Sequence, residues 1–269
     1  HPLQERPTIA FSKSAHHSPA YAQIRIPTDD HMVAVRCHRQ LNKPDPASRF
    51  RDQESNGQTM YAPLIITLAV TAAAFIGIWL IHVGLKDVGI VDYYWGPGFA
   101  VIGFIHLGLA ETASAGQFVF LGAVTIWAAR LAGHLIPRHR AADGEDGRYA
   151  AMREAGGESY WWRSLFTVFL LQALLMWIIA APVHVALGMP ARAAGGLFWL
   201  GIAIYGAGVA IEAVADMQLA AATRTRQAGR TISSGLWRLS RHPNYLGEMM
   251  LWSGLGLSAY ALSGSLIAF

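Results

Sequence analysis

The stretch SRHPNYLGEMMLW, from Ser240 to Trp252, opens a segment that then runs apolar to Phe269. Its length suits a membrane-crossing helix, which needs about 20 mostly apolar residues. Yet its first turns carry Arg241, His242, Asn244 and Glu248. Polar groups inside a bilayer are expensive, so they face a bundle interior rather than lipid and mark a site there. Pro243 fits the first helical turn, where a missing backbone N–H costs little. Asn244, Glu248 and Trp252 are spaced by four and share one helix face. The free N–H groups of that helix end, with Arg238 and Arg241 beside them, would accept a phosphate.

The remaining sequence supports a membrane setting. Of 269 residues, 53% are hydrophobic and 14% charged, where a soluble domain carries about a quarter charged. The apolar runs fall within residues 60–269. They predict an all-α, polytopic helical bundle with about six spans, near 62–84, 94–110, 117–137, 164–188, 195–221 and 243–269. Cys37 is the only cysteine, which excludes an internal disulfide and a cysteine metal site. The net charge of +4 comes from arginines in short loops. That pattern speaks of membrane orientation and not of nucleic-acid binding.

Residues 1–59 are polar, lack a sustained period and are expected to be disordered. No apolar core of a signal peptide follows a basic start. The chain begins with His, and Met60 directly precedes a span, so the tail is expected not to be native. Two loops gather the arginines. One holds Arg138, Arg140, Arg148, Arg153 and Arg163; the other holds Arg224, Arg226, Arg230, Arg238 and Arg241. Both are predicted to face the cytoplasm, at a bacterial inner membrane. The basic tail would then lie on the wrong side, a second reason to expect that it is foreign. The chain stops at Phe269 without a polar anchor, so a seventh, C-terminal element is expected to be missing.

Four further motifs carry chemistry. VDYYWGPGF, Val91 to Phe99, places Asp92 among aromatic residues at a span entrance; it reads as an interfacial belt with a capping Asp or as the wall of a headgroup-level pocket. Arg130, His134 and Arg138 recur every four residues on one stripe. Arg138 is expected to snorkel, while Arg130 lies deeper and needs either an ion-pair partner or an anionic ligand. GEDGRYAAMR, Gly144 to Arg153, offers a local Asp146–Arg148 pair, a solvated loop or a phosphate contact. Glu212 and Asp216 lie four apart inside an apolar segment; without arginine, sugar hydroxyls or a cation, one of them would keep its proton.

Taken together, VDYYWGPGF, the GEDGRY loop, EAVADMQ and GLWRLSRHPNYLGE resemble the steroid 5-alpha-reductase C-terminal family. The branch is the bacterial one known as domain of unknown function 1295, related to isoprenylcysteine carboxyl methyltransferases and sterol reductases. The resemblance spans residues ~85–269. It implies a bundle whose cytoplasmic half holds a nucleotide cofactor and whose lipid-like substrate enters from the bilayer. By resemblance, Asp216, Asn244 and Glu248 match polar residues that hold NADPH in the reductases. Glu212 stands where those enzymes carry Asn, and Trp127 where they carry a tyrosine proton donor. A Gln-Glu pair that accompanies that tyrosine has no counterpart. The expected cofactor-binding set is Arg130, Glu212, Asp216, Arg241, His242, Asn244, Tyr245 and Glu248, with no metal. The expected activity is NADPH-dependent reduction of a hydrophobic enone or polyprenyl-like substrate. The alternatives are a methyltransferase of the same fold using S-adenosylmethionine, and a non-catalytic membrane protein.

Overall fold

The computed structural model describes residues 22–27, 32–37, 46–141, 145–225 and 234–269, with side chains for 61–141, 145–223 and 234–269. The chain divides into two units, His1–Ser55 and Asn56–Phe269.

In the first unit, β1 (Ala22–Pro27) pairs antiparallel with β2 (Met32–Cys37), Ala22 opposite Cys37 and Pro27 opposite Met32. Helix α1 (Pro46–Leu85) begins in the same unit. These segments have regular structure where none was expected. The physical reason lies in AQIRIP and MVAVRC, whose β-branched residues recur every second position and favour a pleated strand. The rest of 1–45 lies outside the described residues.

The second unit is an all-α, polytopic membrane bundle. Five stretches are long and apolar enough to cross a bilayer: Tyr61–Leu85, Val88–Leu109, Ala115–Arg140, Gly147–Ile179 and Gly196–Thr223. They contain the end of α1, then α2 (Asp92–Leu109), α3 (Ala115–Arg140), α4 (Gly147–Gly156), α5 (Tyr160–Ser164), α6 (Leu171–Ile179) and most of α8 (Gly196–Thr225). Six spans were expected. The sixth, α9 (Pro243–Ser263), has 21 residues, enough for about 30 Å of helix. Its Glu248, three glycines and three serines dilute its apolar character, so it does not join the five. It starts at Pro243, as expected.

The fourth span also differs from the expected 164–188. A π-helical segment, Leu165–Leu170, joins α5 to α6. The helix then breaks at Ala180, and α7 (Ala181–Gly188) restarts with Pro182 in its first turn. Proline lacks the N–H that would continue the preceding helix, and its fixed φ suits a new start.

The bundle is drawn together by close backbone approach. Helices α8 and α9 run antiparallel along a glycine seam. A Cβ on Gly201 would lie 2.7 Å from the Gly254 carbonyl oxygen; one on Gly208, 2.6 Å from that of Gly247; one on Gly247, 2.7 Å from the Glu212 nitrogen. Small residues let membrane helices pack this closely, where lipid supplies little hydrophobic drive for association. The Ser258 hydroxyl donates across the seam to the Phe198 carbonyl at 3.1 Å. On the other side, Gly96 of α2 lies against the Ala128 backbone of α3, and the Tyr205 hydroxyl ties α8 to the Ala123 carbonyl of α3 at 2.6 Å. Between these helices sit Phe99, Trp127, Leu251 and Leu255, all essentially inaccessible.

Helix α1 is more peripheral. Thr67, Thr71, Phe75 and His82 form its buried row, while Ile65, Leu80 and Ile81 are more than half exposed. Two indoles fasten it: Trp177 donates to the Leu64 carbonyl at 3.2 Å, and Trp79 donates to the Trp161 carbonyl at 2.9 Å.

Candidate functional site

The 3.6-residue period puts Arg130 and His134 on one face of α3, Glu212 and Asp216 on one face of α8, and Asn244, Glu248 and Trp252 on one face of α9. The packing of α3, α8 and α9 brings most of them together. The Arg130 guanidinium donates to Asp216 Oδ2 at 3.0 Å through Nη1 and to Glu212 Oε1 through Nη2. His134 Nε2 lies 4.0 Å from the same Asp216 oxygen. Glu212 and Asp216 are both buried, at 6% and 8% exposure. Such acids need partners in an apolar surrounding, and the two have one guanidinium between them.

Glu248 adds a third carboxyl. Its oxygens accept from the indole N–H of Trp252 at 2.8 Å and of Trp127 at 3.4 Å. It is also an electrostatic neighbour of Glu212. Beneath these acids lies an aromatic layer. Phe99, Trp127 and Trp252 meet with ring centroids 5.1–5.5 Å apart, in edge and tilted geometries. Edge and offset contacts suit the ring quadrupoles, and together the rings close the cluster from below.

Three buried polar atoms here have no hydrogen-bond partner among the described residues: Arg130 Nε, Glu212 Oε2 and Asn244 Oδ1. Asn244 lies one turn before Glu248, and Gly247 between them abuts the Glu212 backbone. Buried polar atoms are nearly always paired, so three orphans in one layer mark unmet hydrogen-bonding capacity. Two of them are acceptors. With three carboxyls against one guanidinium, the cluster suits a ligand that brings hydroxyl, amide or cationic donors.

Of the expected cofactor-binding residues, Arg130, Glu212, Asp216 and Glu248 come together, and Asn244 borders them. Arg241, His242 and Tyr245 are exposed. The His242 and Tyr245 rings stack on each other at 5.1 Å, and none of the cluster's polar contacts involves these three residues. Arg130 takes the ion-pair alternative left open by the sequence: its terminal nitrogens are occupied by acids. Arg138 is exposed, as a snorkelling residue would be. The sequence put Trp252 on the face of Asn244 and Glu248, and the resemblance put Trp127 at the position of the reductases' proton donor. What it did not give is that both indoles bond Glu248. For Trp127 no local signal exists, because that partner is 121 positions away.

A second polar network braces the loop end of the bundle. Asp146 caps α4 through the Arg148 N–H and also accepts from the Arg148 side chain, the local pair the sequence offered. Arg153 is held by Glu145 at 2.8 Å and donates to the Lys86 carbonyl at 2.7 Å. Glu145 in turn accepts from the Val88 amide at 2.9 Å, and Asp87 lies 2.7 Å from His139. Burial pushes the Glu145 carboxyl up, but the hydrogen bonds from Arg153 and the Val88 amide outweigh it and hold the group below the usual carboxylate range. A carboxyl depressed in the folded state gives stability that is full above its unfolded pKa and is lost as pH falls through its folded value. The Val88–Val91 turn should therefore lose hydrogen-exchange protection below about pH 4. Glu145→Gln should remove that pH dependence. Unchanged protection in the parent protein down to about pH 2 would exclude this brace as its source.

Residues 78–268 match the family described as "Protein of unknown function (DUF1295)". An uncharacterised protein of Schizosaccharomyces pombe is 25% identical over 234 residues, which cover 76% of this chain and 67% of that protein. No solved structure matches the chain.

Proposed function

The chain belongs to the DUF1295 family, and from that premise and the buried acid cluster we propose an integral membrane reductase that binds NADPH and acts on a hydrophobic, lipid-like enone or polyprenyl-like substrate. The observation that carries this reading is the set of orphaned polar atoms at Arg130, Glu212 and Asn244. Ribose hydroxyls and a carboxamide NH₂ are donors, and they suit the unpaired acceptors of Glu212 and Asn244. Arg238 and Arg241, exposed near the start of α9, suit the phosphates better than Arg130, which the acids occupy. When bound, NADPH supplies a hydride to an electron-poor alkene, and water or a protein acid supplies the proton. Arg130 fixes the orientation of Glu212 and Asp216, which hold donors of the cofactor. Phe99, Trp127 and Trp252 exclude water from below. The Trp127 N–H is committed to Glu248 and indole is not an acid, so Trp127 does not serve as proton donor. By the positive-inside rule, the arginine-rich loops and this cluster lie on the cytoplasmic side.

One observation favours a second reading. The surplus of carboxyls suits the sulfonium and ammonium of S-adenosylmethionine, which would make the protein a methyltransferase. Thermal denaturation of the purified full chain with NADPH, NADH and S-adenosylmethionine separates the two, because a ligand that binds only the folded state raises its stability. The expected result is stabilisation by NADPH that Asp216→Asn abolishes. Stabilisation by S-adenosylmethionine alone selects the methyltransferase. No effect from any of the three removes both and leaves a non-catalytic protein.

A further inference from the structure

A cavity of about 480 Å³ lies elsewhere in the bundle, among Tyr61 and Leu64 of α1, His106 at the end of α2, Trp177 and His184 of α6 and α7, and Ile267. Its size falls in the range of small-molecule sites. It is well separated from the acid cluster. Gln117, at the start of α3, bonds to the Ala186 carbonyl at the level of α7. Arg130 follows Gln117 by thirteen positions on the same helix, about 20 Å at 1.5 Å per residue.

The walls are mostly apolar, but they hold a hydrogen-bonded pair of histidines whose tautomers follow from their partners. His184 Nε2 is 3.0 Å from the Trp177 carbonyl, which only accepts, so Nε2 carries the proton. In a neutral ring, Nδ1 of His184 is then the acceptor, and it lies 2.8 Å from His106 Nε2, which must donate. His106 Nδ1 is thereby left as a bare lone pair. Among the described residues no carboxylate partners either ring, so an apolar surrounding favours two neutral imidazoles. His106 is 2% exposed, and its Nδ1 is buried with no hydrogen-bond partner among those residues. Gly188, which also lines the cavity, stands beside that lone pair without a side chain of its own: a Cβ there would sit 2.9 Å from Nδ1. The series therefore runs in one direction, from the Trp177 carbonyl through both rings, and ends in an acceptor that asks for a donor.

We propose that this cavity binds a lipid alcohol, its apolar body against Leu64, Trp177 and Ile267 and its hydroxyl donating to His106 Nδ1. A plain acyl chain would fill the space and leave the lone pair unsatisfied; a hydroxyl group satisfies it. This site is independent of the acid cluster and of what that cluster binds.

The test uses the full chain in lipid nanodiscs with two photoreactive probes, a long-chain diazirine alcohol and its methyl ether, in which a methyl group replaces the donated proton. The alcohol should label peptides containing Leu64, Trp177 or Ile267 at roughly tenfold lower concentration than the ether, the discrimination of about one satisfied buried hydrogen bond. His106→Phe removes the acceptor. Gly188→Ala keeps both histidines but puts a methyl 2.9 Å from Nδ1, which crowds the lone pair and must nudge the ring. Each should bring the alcohol down to the ether's level without changing labelling by the ether. Equal labelling by the two probes in the parent protein would overturn the proposal and leave an apolar lipid slot. Labelling that maps outside the cavity, or an alcohol preference that survives Gly188→Ala, would overturn it as well. Neither probe involves a nucleotide, so failure here is distinct from failure of the reductase reading.

Discussion

Arg130→Ala will destabilise the membrane unit by about 3–5 kcal/mol, the usual cost of removing one partner from a buried ionic group. The substitution leaves Glu212 and Asp216 facing each other in an apolar layer with no guanidinium between them. His134, at 4.0 Å from Asp216, is too distant to replace two short contacts. Adding Glu212→Gln and Asp216→Asn to the Arg130→Ala protein should restore much of the loss, because neutral amides tolerate one another where carboxylates do not. Denaturation midpoints in mild detergent measure both effects. An Arg130→Ala protein as stable as the parent would mean that the acids are held by protons rather than by the arginine.

Gly247→Leu is expected to cost as much or more, near or above the ~3 kcal/mol upper end of overpacking effects. The new Cβ would meet backbone rather than a movable side chain, with the Glu212 nitrogen and the Gly208 carbonyl oxygen both at 2.7 Å. The helices must separate to admit it, which moves Glu212 away from the turn that carries Asn244 and Glu248. Nucleotide binding should vanish together with stability. Gly206→Leu, on the same α8 but facing open space, is the matched control. Equal stability of the two variants would refute a tightly closed seam.

The membrane character of 60–269 was legible because apolar run length is a local property of the sequence. So was the start of α9, where Pro243 marks the first turn, and so were the i,i+4 pairs Glu212–Asp216 and Asn244–Glu248, which depend only on helical period. What lay beyond reach depends on which helix meets which. The sequence left Arg130 with either an ion-pair partner or an anionic ligand; the partners, more than 80 positions away, emerge only from packing. The same holds for Trp127 with Glu248 and for His106 with His184. The interruption at Ala180 was obscured because its flanking segments are all apolar, so hydropathy alone reads one span where the backbone makes two pieces. Helix α9 falls outside the five strongly apolar stretches for a related reason: the glycines and serines that lower its apolar character are among the residues that let it pack against α8.

Helix α1 is buried along one row, Thr67, Thr71, Phe75 and His82, and is tied by the Trp177 indole at Leu64 and Thr67 and by its own Trp79 indole. Its fully outward positions, such as Ile65, Leu80 and Ile81, are exposed, and in a bilayer they would meet acyl chains, which are fluid and have no shape to match. These side chains are therefore interchangeable with any other apolar residue of helical propensity. A randomised library over 61–85, selected for folded protein, would return composition at the outward positions and identity along the row and at Trp79. For this helix, most of the letters specify a solvent and only a few specify a structure.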